Sequence, residues 1–145
     1  MKIQPINKDS KAQVDDWIDM RLKLWPEHTR DELADEASQL GDVIQVWLAY
    51  NDDQPVGFIE AGTRSVIEGS YDGPGGFVEG LYVGQDYRYH GIAKQLVEAV
   101  EAWAKQQGYT VLGSNAEIDN ETSDKFHKAI GFREVDRTIN YLKDL

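Results

Sequence analysis

Arg88, Gly91 and Ala93 stand in the stretch QDYRYHGIAKQL with the spacing Arg-x-x-Gly-x-Ala. The apolar run FVEGLYV (77–83) comes just before them, and a long amphipathic segment begins at Gly91. This arrangement suits an anion. The first N–H groups of a helix have no intrahelical partner and point at whatever lies before it. Gly91 allows close approach of the backbone or a positive φ, and Arg88 adds a charge-assisted hydrogen bond to a phosphate oxygen. A Walker P-loop is excluded, because Gly-x-x-x-x-Gly-Lys-Ser/Thr is missing, and a dinucleotide fingerprint is excluded because only one glycine stands here. The other reading is a plain strand–helix connection that carries an Arg and a Gly.

The run before the loop holds a second candidate. On an alternating strand Glu79 shares a face with Phe77, Leu81 and Val83. A carboxylate there is costly unless it meets a partner, a water or a substrate. It is either a partly exposed residue at a sheet end or a group that binds an ammonium. The three histidines, His28, His90 and His127, have no metal-ligand spacing, so no metal is expected. With no cysteine in the chain, disulfides, thiolate metal sites and a Cys nucleophile are all excluded.

The elements that must position these residues can be traced along the 145-residue chain, long enough for one domain spanning 1–145 with its own core. Lys2 to Ile6 reads as a strand. Asp9 or Ser10 caps a helix in which Val14, Trp17, Ile18, Arg21, Leu22 and Trp25 recur at helical spacing, and Pro26 stops it. A second, acidic helix runs from about Arg30 to Gln39. A hairpin follows, from Val43–Tyr50 to Val56–Arg64, turned by NDDQP. Residues 65–76 hold four of the chain's 13 glycines and read as a long loop. Next come the strand 77–83, the helix from Gly91 to Gly108, the strand 110–114 and a helix ended by Gly131. Two short strands, FREV (132–135) and TINYLK (138–143), finish the chain. A hairpin-rich first half followed by β-α-β crossovers predicts an α/β (α+β) domain, with a mixed central sheet and helices on both faces.

The formal net charge of −11 argues against nucleic-acid binding. Between Asp31 and Tyr87 there are twelve Asp and Glu residues and one basic residue, Arg64. That imbalance serves solubility or attracts a cationic ligand. No apolar run is long enough for a bilayer and no leader is evident, so a cytoplasmic protein without membrane contact is expected.

QDYRYHGIAKQLVEAVEAWAKQQG is similar to the pyrophosphate-binding motif and helix of the GNAT superfamily of N-acetyltransferases, and KAIGF (128–132) resembles that superfamily's helix ending before the penultimate strand. Element order also matches over essentially the whole chain. Within the superfamily the chain most resembles the small aminoglycoside 6'-N-acetyltransferases, through Leu24-Trp25-Pro26, FVEGLYV, Asn120, and His127 before IGF. The resemblance implies a GNAT-like acyl-CoA N-acyltransferase fold and direct acetyl transfer from acetyl-CoA to a primary amine. Backbone groups of Leu81, Tyr82 and Val83 would pair with the pantetheine, and Asn120 would hydrogen-bond the same arm. The pyrophosphate would lie on the amides of Tyr89, His90, Gly91, Ile92, Ala93 and Lys94, beside Arg88. Glu79 would contact the amine or help deprotonate it through water. His127, where many relatives place a Tyr, would return a proton to the CoA thiolate. Trp25, His28, Asn115 and Asp136 would face a cationic small-molecule acceptor, Asp136 across the interface of a homodimer.

Two departures fall on the acceptor side. Asn115 stands where the similar enzymes carry Asp, and the loop after Arg64 reads VIEG in place of a YVNG-like stretch. They keep open an acceptor other than an aminoglycoside (a polyamine, an amino acid or a protein amine), and a non-catalytic acyl-CoA-binding role is the third reading.

Overall fold

The computed structural model describes residues 1–145. Strands β1 (Lys2–Pro5), β2 (Gln45–Asn51), β3 (Gln54–Arg64), β4 (Gly75–Val83) and β5 (Leu112–Gly113) form one sheet in the order β1-β2-β3-β4-β5. The first four pair antiparallel, and β5 lies parallel to β4. Helices α1 (Lys11–Leu24) and α2 (Arg30–Glu36) cover one face, with a 3-10 turn at Ala37–Gln39. Helix α3 (Ile92–Gln106) and the side chains of α4 (Glu121–Ala129) cover the other. This is the mixed sheet with helices on both faces that the pattern predicts.

Local chemistry accounts for the ends of these elements. Ser10 caps α1, its Oγ accepting from Gln13 N at 3.3 Å, and the helix stops just before Trp25-Pro26. In the β2–β3 turn Asp52 takes a φ of 53°. Gly91 at 79° opens α3 and Gly108 at 85° follows its end.

Each face of the sheet has its own core. Trp17, Ile18, Met20, Leu33, Leu40, Val46, Leu48 and Phe58 pack under α1 and α2. Val56, Ile59, Ala61, Val78, Ile92, Leu96, Val97 and Val100 pack under α3, where Phe126 of α4 and, just after it, Ile130 and Phe132 join them.

The first core contains a buried polar link. Glu60, 2% exposed, accepts from Trp17 Nε1 at 2.7 Å and lies 3.4 Å from Arg21 Nε. Arg21 also pairs with Glu36 of α2 and lies over the Trp17 and Trp25 rings. One carboxylate in β3 thereby orients both helices of that face.

Four expectations need correction. Gly75 and Gly76 belong to β4, not to a loop; a Cβ on Gly76 would meet Leu112 at 3.1 Å and Trp103 at 3.2 Å, so glycine serves close packing. β2 begins at Gln45, because Val43 is exposed in the preceding turn. β5 is only Leu112–Gly113, shorter than TVLGS. The strands at 132–135 and 138–143 do not form: from Arg133 onward no hydrogen bond joins main chain to main chain, and Ile139, Tyr141 and Leu142 are exposed. Their composition is β-rich, but this chain places no strand beside them.

Burial pushes the Glu60 carboxyl above the usual carboxylate range, against the pull of Arg21 and the Trp17 N–H. The folded state therefore favours the protonated acid. Its contribution to stability is complete below the ordinary carboxylate range and is lost as pH rises through the raised folded value. Glu60→Gln keeps an acceptor for Trp17 and has no charge to bury. Melting curves should show the Tm of the variant rising relative to that of the wild type between pH 4 and pH 8. A difference independent of pH would contradict the assignment.

Candidate functional site

The site is arranged around β4. The β3–β4 register steps from Glu60↔Gly80 to Ala61↔Val78, so Glu79 is the extra residue of a bulge. The bulge breaks strict alternation. Gly80 turns toward Trp25, so that a Cβ there would lie 2.5 Å from the indole. Tyr82 packs on the α1–α2 core, and Leu81 and Val83 pack on the α3 core. Glu79 thus does not share a face with Leu81 and Val83, as simple alternation predicts.

Glu79 has a partner. Arg64 Nε and Nη2 donate to its two carboxylate oxygens at 3.0 and 2.9 Å, and the guanidinium lies 3.5 Å over the Phe77 ring. Both side chains are about 40% exposed. Such a pair is worth on the order of 1 kcal/mol or less, so a solvated ligand cation can compete for the carboxylate.

The end of α1 supplies the wall beside it. Trp25 lies against Gly80, with its ring centroid 5.2 Å from the Arg21 guanidinium. His28 meets Trp25 edge-on at 6.1 Å, and its Nδ1 is 3.5 Å from Glu32. Trp25 and His28 therefore stand together, Trp25 against Gly80, the residue next to Glu79. Glu60 and Glu36 lie close enough beneath that their charges act on one another, and Glu79 adds to the same field. No hydrogen bond or ion pair joins Asn115 or Asp136 to this cluster; Asp136, on the tail, accepts from Arg137 N. Tyr71 is fully exposed on its loop.

On the other edge β4 loses its neighbour. It pairs with β5 only at Gly76↔Leu112 and Phe77↔Gly113. Beyond that rung the strands part, leaving the edge of Leu81, Tyr82 and Val83 without a strand beside it. At the wide end of the cleft stands the N-terminus of α3. No main-chain N–H from Arg88 to Lys94 donates within the protein, and Gly91 provides no side-chain cap. Tyr89 has a positive φ of 66° and is exposed with His90 and Gly91. These unpaired donors match the anion cradle read from Arg-x-x-Gly-x-Ala. Arg88 itself is turned back, its Nε donating to Val83 O at 3.0 Å.

On the far side, Asn120 caps α4, its Oδ1 accepting from Ser123 N at 3.1 Å, which leaves its amide N–H₂ to donate elsewhere. His127 is held on both ring nitrogens. Its Nδ1 is 2.7 Å from Ser123 O and 3.2 Å from Ser123 Oγ, its Nε2 is 2.7 Å from Ser114 Oγ, and its ring stands edge-on to Phe126 and Phe132. Sequence reading missed Arg64 as the partner of Glu79, missed Glu60, and missed Ser114. Only Glu60 left a trace, as a carboxylate between Ile59 and Ala61.

The model of the acetyltransferase (GNAT) family matches residues 11–132. An aminoglycoside N(6')-acetyltransferase type 1 of Acinetobacter baumannii is 36% identical over 148 residues, spanning 100% of this chain and 99% of its own. One of Salmonella typhimurium is 35% identical over 141 residues, covering 95% and 97%. The solved structure of AAC(6')-Iy in complex with the bisubstrate analog CoA-S-monomethyl-acetylneamine superposes with a TM-score of 0.92 at 31% identity, covering 99% of this chain and 98% of that one.

Proposed function

Because this chain belongs to the acetyltransferase (GNAT) family, we propose that it transfers an acetyl group from acetyl-CoA directly to a primary amine, the 6'-amine of an aminoglycoside, with both substrates bound at once. The observation that carries the reading is the arrangement about β4, with an anion cradle and an open strand edge on one side and a carboxylate-lined aromatic wall on the other. The aminoglycoside relatives, similar over their full length, supply the acceptor class.

The residues divide accordingly. The amides of Tyr89, His90, Gly91, Ile92, Ala93 and Lys94 receive the pyrophosphate, and Arg88 exchanges Val83 O for a phosphate oxygen. Main-chain groups of Leu81, Tyr82 and Val83 pair with the pantetheine, and Asn120 donates to it. On the acceptor side Trp25 and His28 form the wall. Glu79 exchanges part of its Arg64 pairing for the substrate ammonium and takes up a proton through water, which frees the nitrogen lone pair. The nitrogen attacks the thioester carbon and gives up its second proton to water as the C–S bond breaks, and the sulfur leaves as a thiolate that needs a proton. His127 stands on the proton-return side.

The unpaired tail supports a homodimer. Residues 133–145 make no hydrogen bond from main chain to main chain in their own chain, and a groove beside β5 is lined by Gly69, Val111, Gly113, Ser114, Phe132 and Val135. The tail of one protomer pairs there on its partner, bringing Asp136 toward the partner's acceptor side. A cytoplasmic setting follows from the donor, and no helix is long and apolar enough to cross a membrane.

Thiol release from acetyl-CoA, measured with kanamycin-type aminoglycosides, polyamines and peptides, tests the acceptor. Aminoglycosides should be preferred. Turnover of the other amines alone would assign a different acceptor, in line with Asn115 and the altered loop; CoA binding without turnover would leave a binding module. Glu79→Gln should lower kcat by about 10²-fold or more while CoA affinity stays within about twofold. Equal loss of both would make Glu79 structural. In analytical ultracentrifugation the wild type should sediment as a dimer and the Ile139→Asp, Leu142→Asp double variant as a monomer. A monomeric wild type would remove the tail exchange.

A further inference from the structure

Ser114 is the first residue of the β5 side beyond the last paired rung, Phe77↔Gly113, so it stands at the vertex where the strands part. Its hydroxyl is 2.7 Å from His127 Nε2. The other ring nitrogen identifies the tautomer. Nδ1 lies 2.7 Å from Ser123 O, a carbonyl that can only accept, and at a longer 3.2 Å from Ser123 Oγ, which can accept as well. Nδ1 therefore carries the hydrogen of the neutral ring, Nε2 holds a lone pair, and Ser114 is the donor across their bond. A neutral His127 held in this way has no proton to give to a thiolate from Nε2.

Protonation reverses the bond. As an imidazolium His127 donates from Nδ1 to Ser123 O and from Nε2 to Ser114 Oγ, and the Ser114 hydrogen is released to point into the cleft. The ring itself stays held by Ser123 and by the edge contact with Phe132, at a centroid distance of 5.2 Å. The hydroxyl, not the imidazole, then presents a mobile proton at the vertex.

We infer that Ser114 is the proton donor to the leaving thiolate and that His127 acts through it. This rests on the donor placement proposed above. The thiolate takes the Oγ hydrogen, Oγ takes the Nε2 hydrogen of the imidazolium, and the products are CoA–SH, the intact Ser114 hydroxyl and neutral His127 bearing hydrogen on Nδ1. That final state is the hydrogen-bond pattern of the ligand-free protein, and solvent returns the imidazolium. The second N–H proton of the attacking amine leaves to solvent, and solvent gives one back to His127, so the protons balance. In this scheme Ser114 is the catalytic residue and His127 the residue that recharges it.

The test is single-turnover acetylation across pH with the wild type, Ser114→Ala and Ser114→Thr, using whichever amine the wild type acetylates. If the wild type acetylates nothing, the functional reading fails before this one is reached. The wild-type rate should fall on the alkaline side as the imidazolium is lost. Ser114→Ala should be slower by about 10²-fold, should lose that descending limb, and should keep the KM for acetyl-CoA within about twofold. Ser114→Thr, which keeps a hydroxyl, should recover the limb and most of the rate. If His127 faced the thiolate itself, Ser114→Ala would keep the limb; that result, or an unchanged rate, overturns the inference. So does a Thr variant as slow as the Ala variant, provided that circular dichroism shows both folded.

Discussion

Strand β4 has a neighbour along its whole length on one edge only. On the other edge β5 accompanies it for two residues, Gly76 and Phe77, and then leaves. Main-chain polar groups without a partner are costly if buried, so an edge of this kind must stay wet or be met by a ligand. Much of the molecule is arranged around that parting. The long helix α3 begins where the gap is widest and leaves its first N–H groups free. Helix α4 packs Phe126 and Ile130 on the same core as α3, which places His127 against Ser114 on the far side of the gap.

The bulge at Glu79 is the complementary device. One extra residue lets Glu79 and Gly80 both turn toward the α1–α2 face, while Leu81 returns to the α3 core. A single strand can thereby present a carboxylate to one side and an open main-chain edge to the other. Gly80 is glycine because the Trp25 ring occupies the place of its side chain.

Charge on the α1–α2 face has two levels. Glu60 is buried and committed: it takes the Trp17 N–H and sits beside Arg21, which also reaches Glu36, so it ties α1 and α2 to the sheet. Glu79 is half-exposed and held by Arg64, the only basic residue between Asp31 and Tyr87. Screening keeps that pair weak, which leaves the carboxylate exchangeable. The negative field around it, from Glu36 and the acidic segments nearby, favours a cation in its place.

The sequence by itself determined what depends on local rules. Element order, the caps at Ser10 and Gly91, the Pro26 stop and the free amides after Arg88 follow from helix periodicity, φ preferences and the four unpaired donors of any helix start. The resemblance in LWP, FVEGLYV and KAIGF singled out Trp25, Glu79 and His127 as candidates. What depends on pairing across the chain stayed hidden. Residues 132–135 and 138–143 have strand composition, yet a strand needs a neighbour, and this chain offers none. Arg64 and Glu79 are 15 residues apart and meet only because β3 and β4 are antiparallel. The bulge that redirects Glu79 is a register step between two strands and leaves no mark in either strand alone. Ser114 is an ordinary serine until α4 brings His127 to it, and only Ser123 O, a turn away on that helix, decides which ring nitrogen holds the proton.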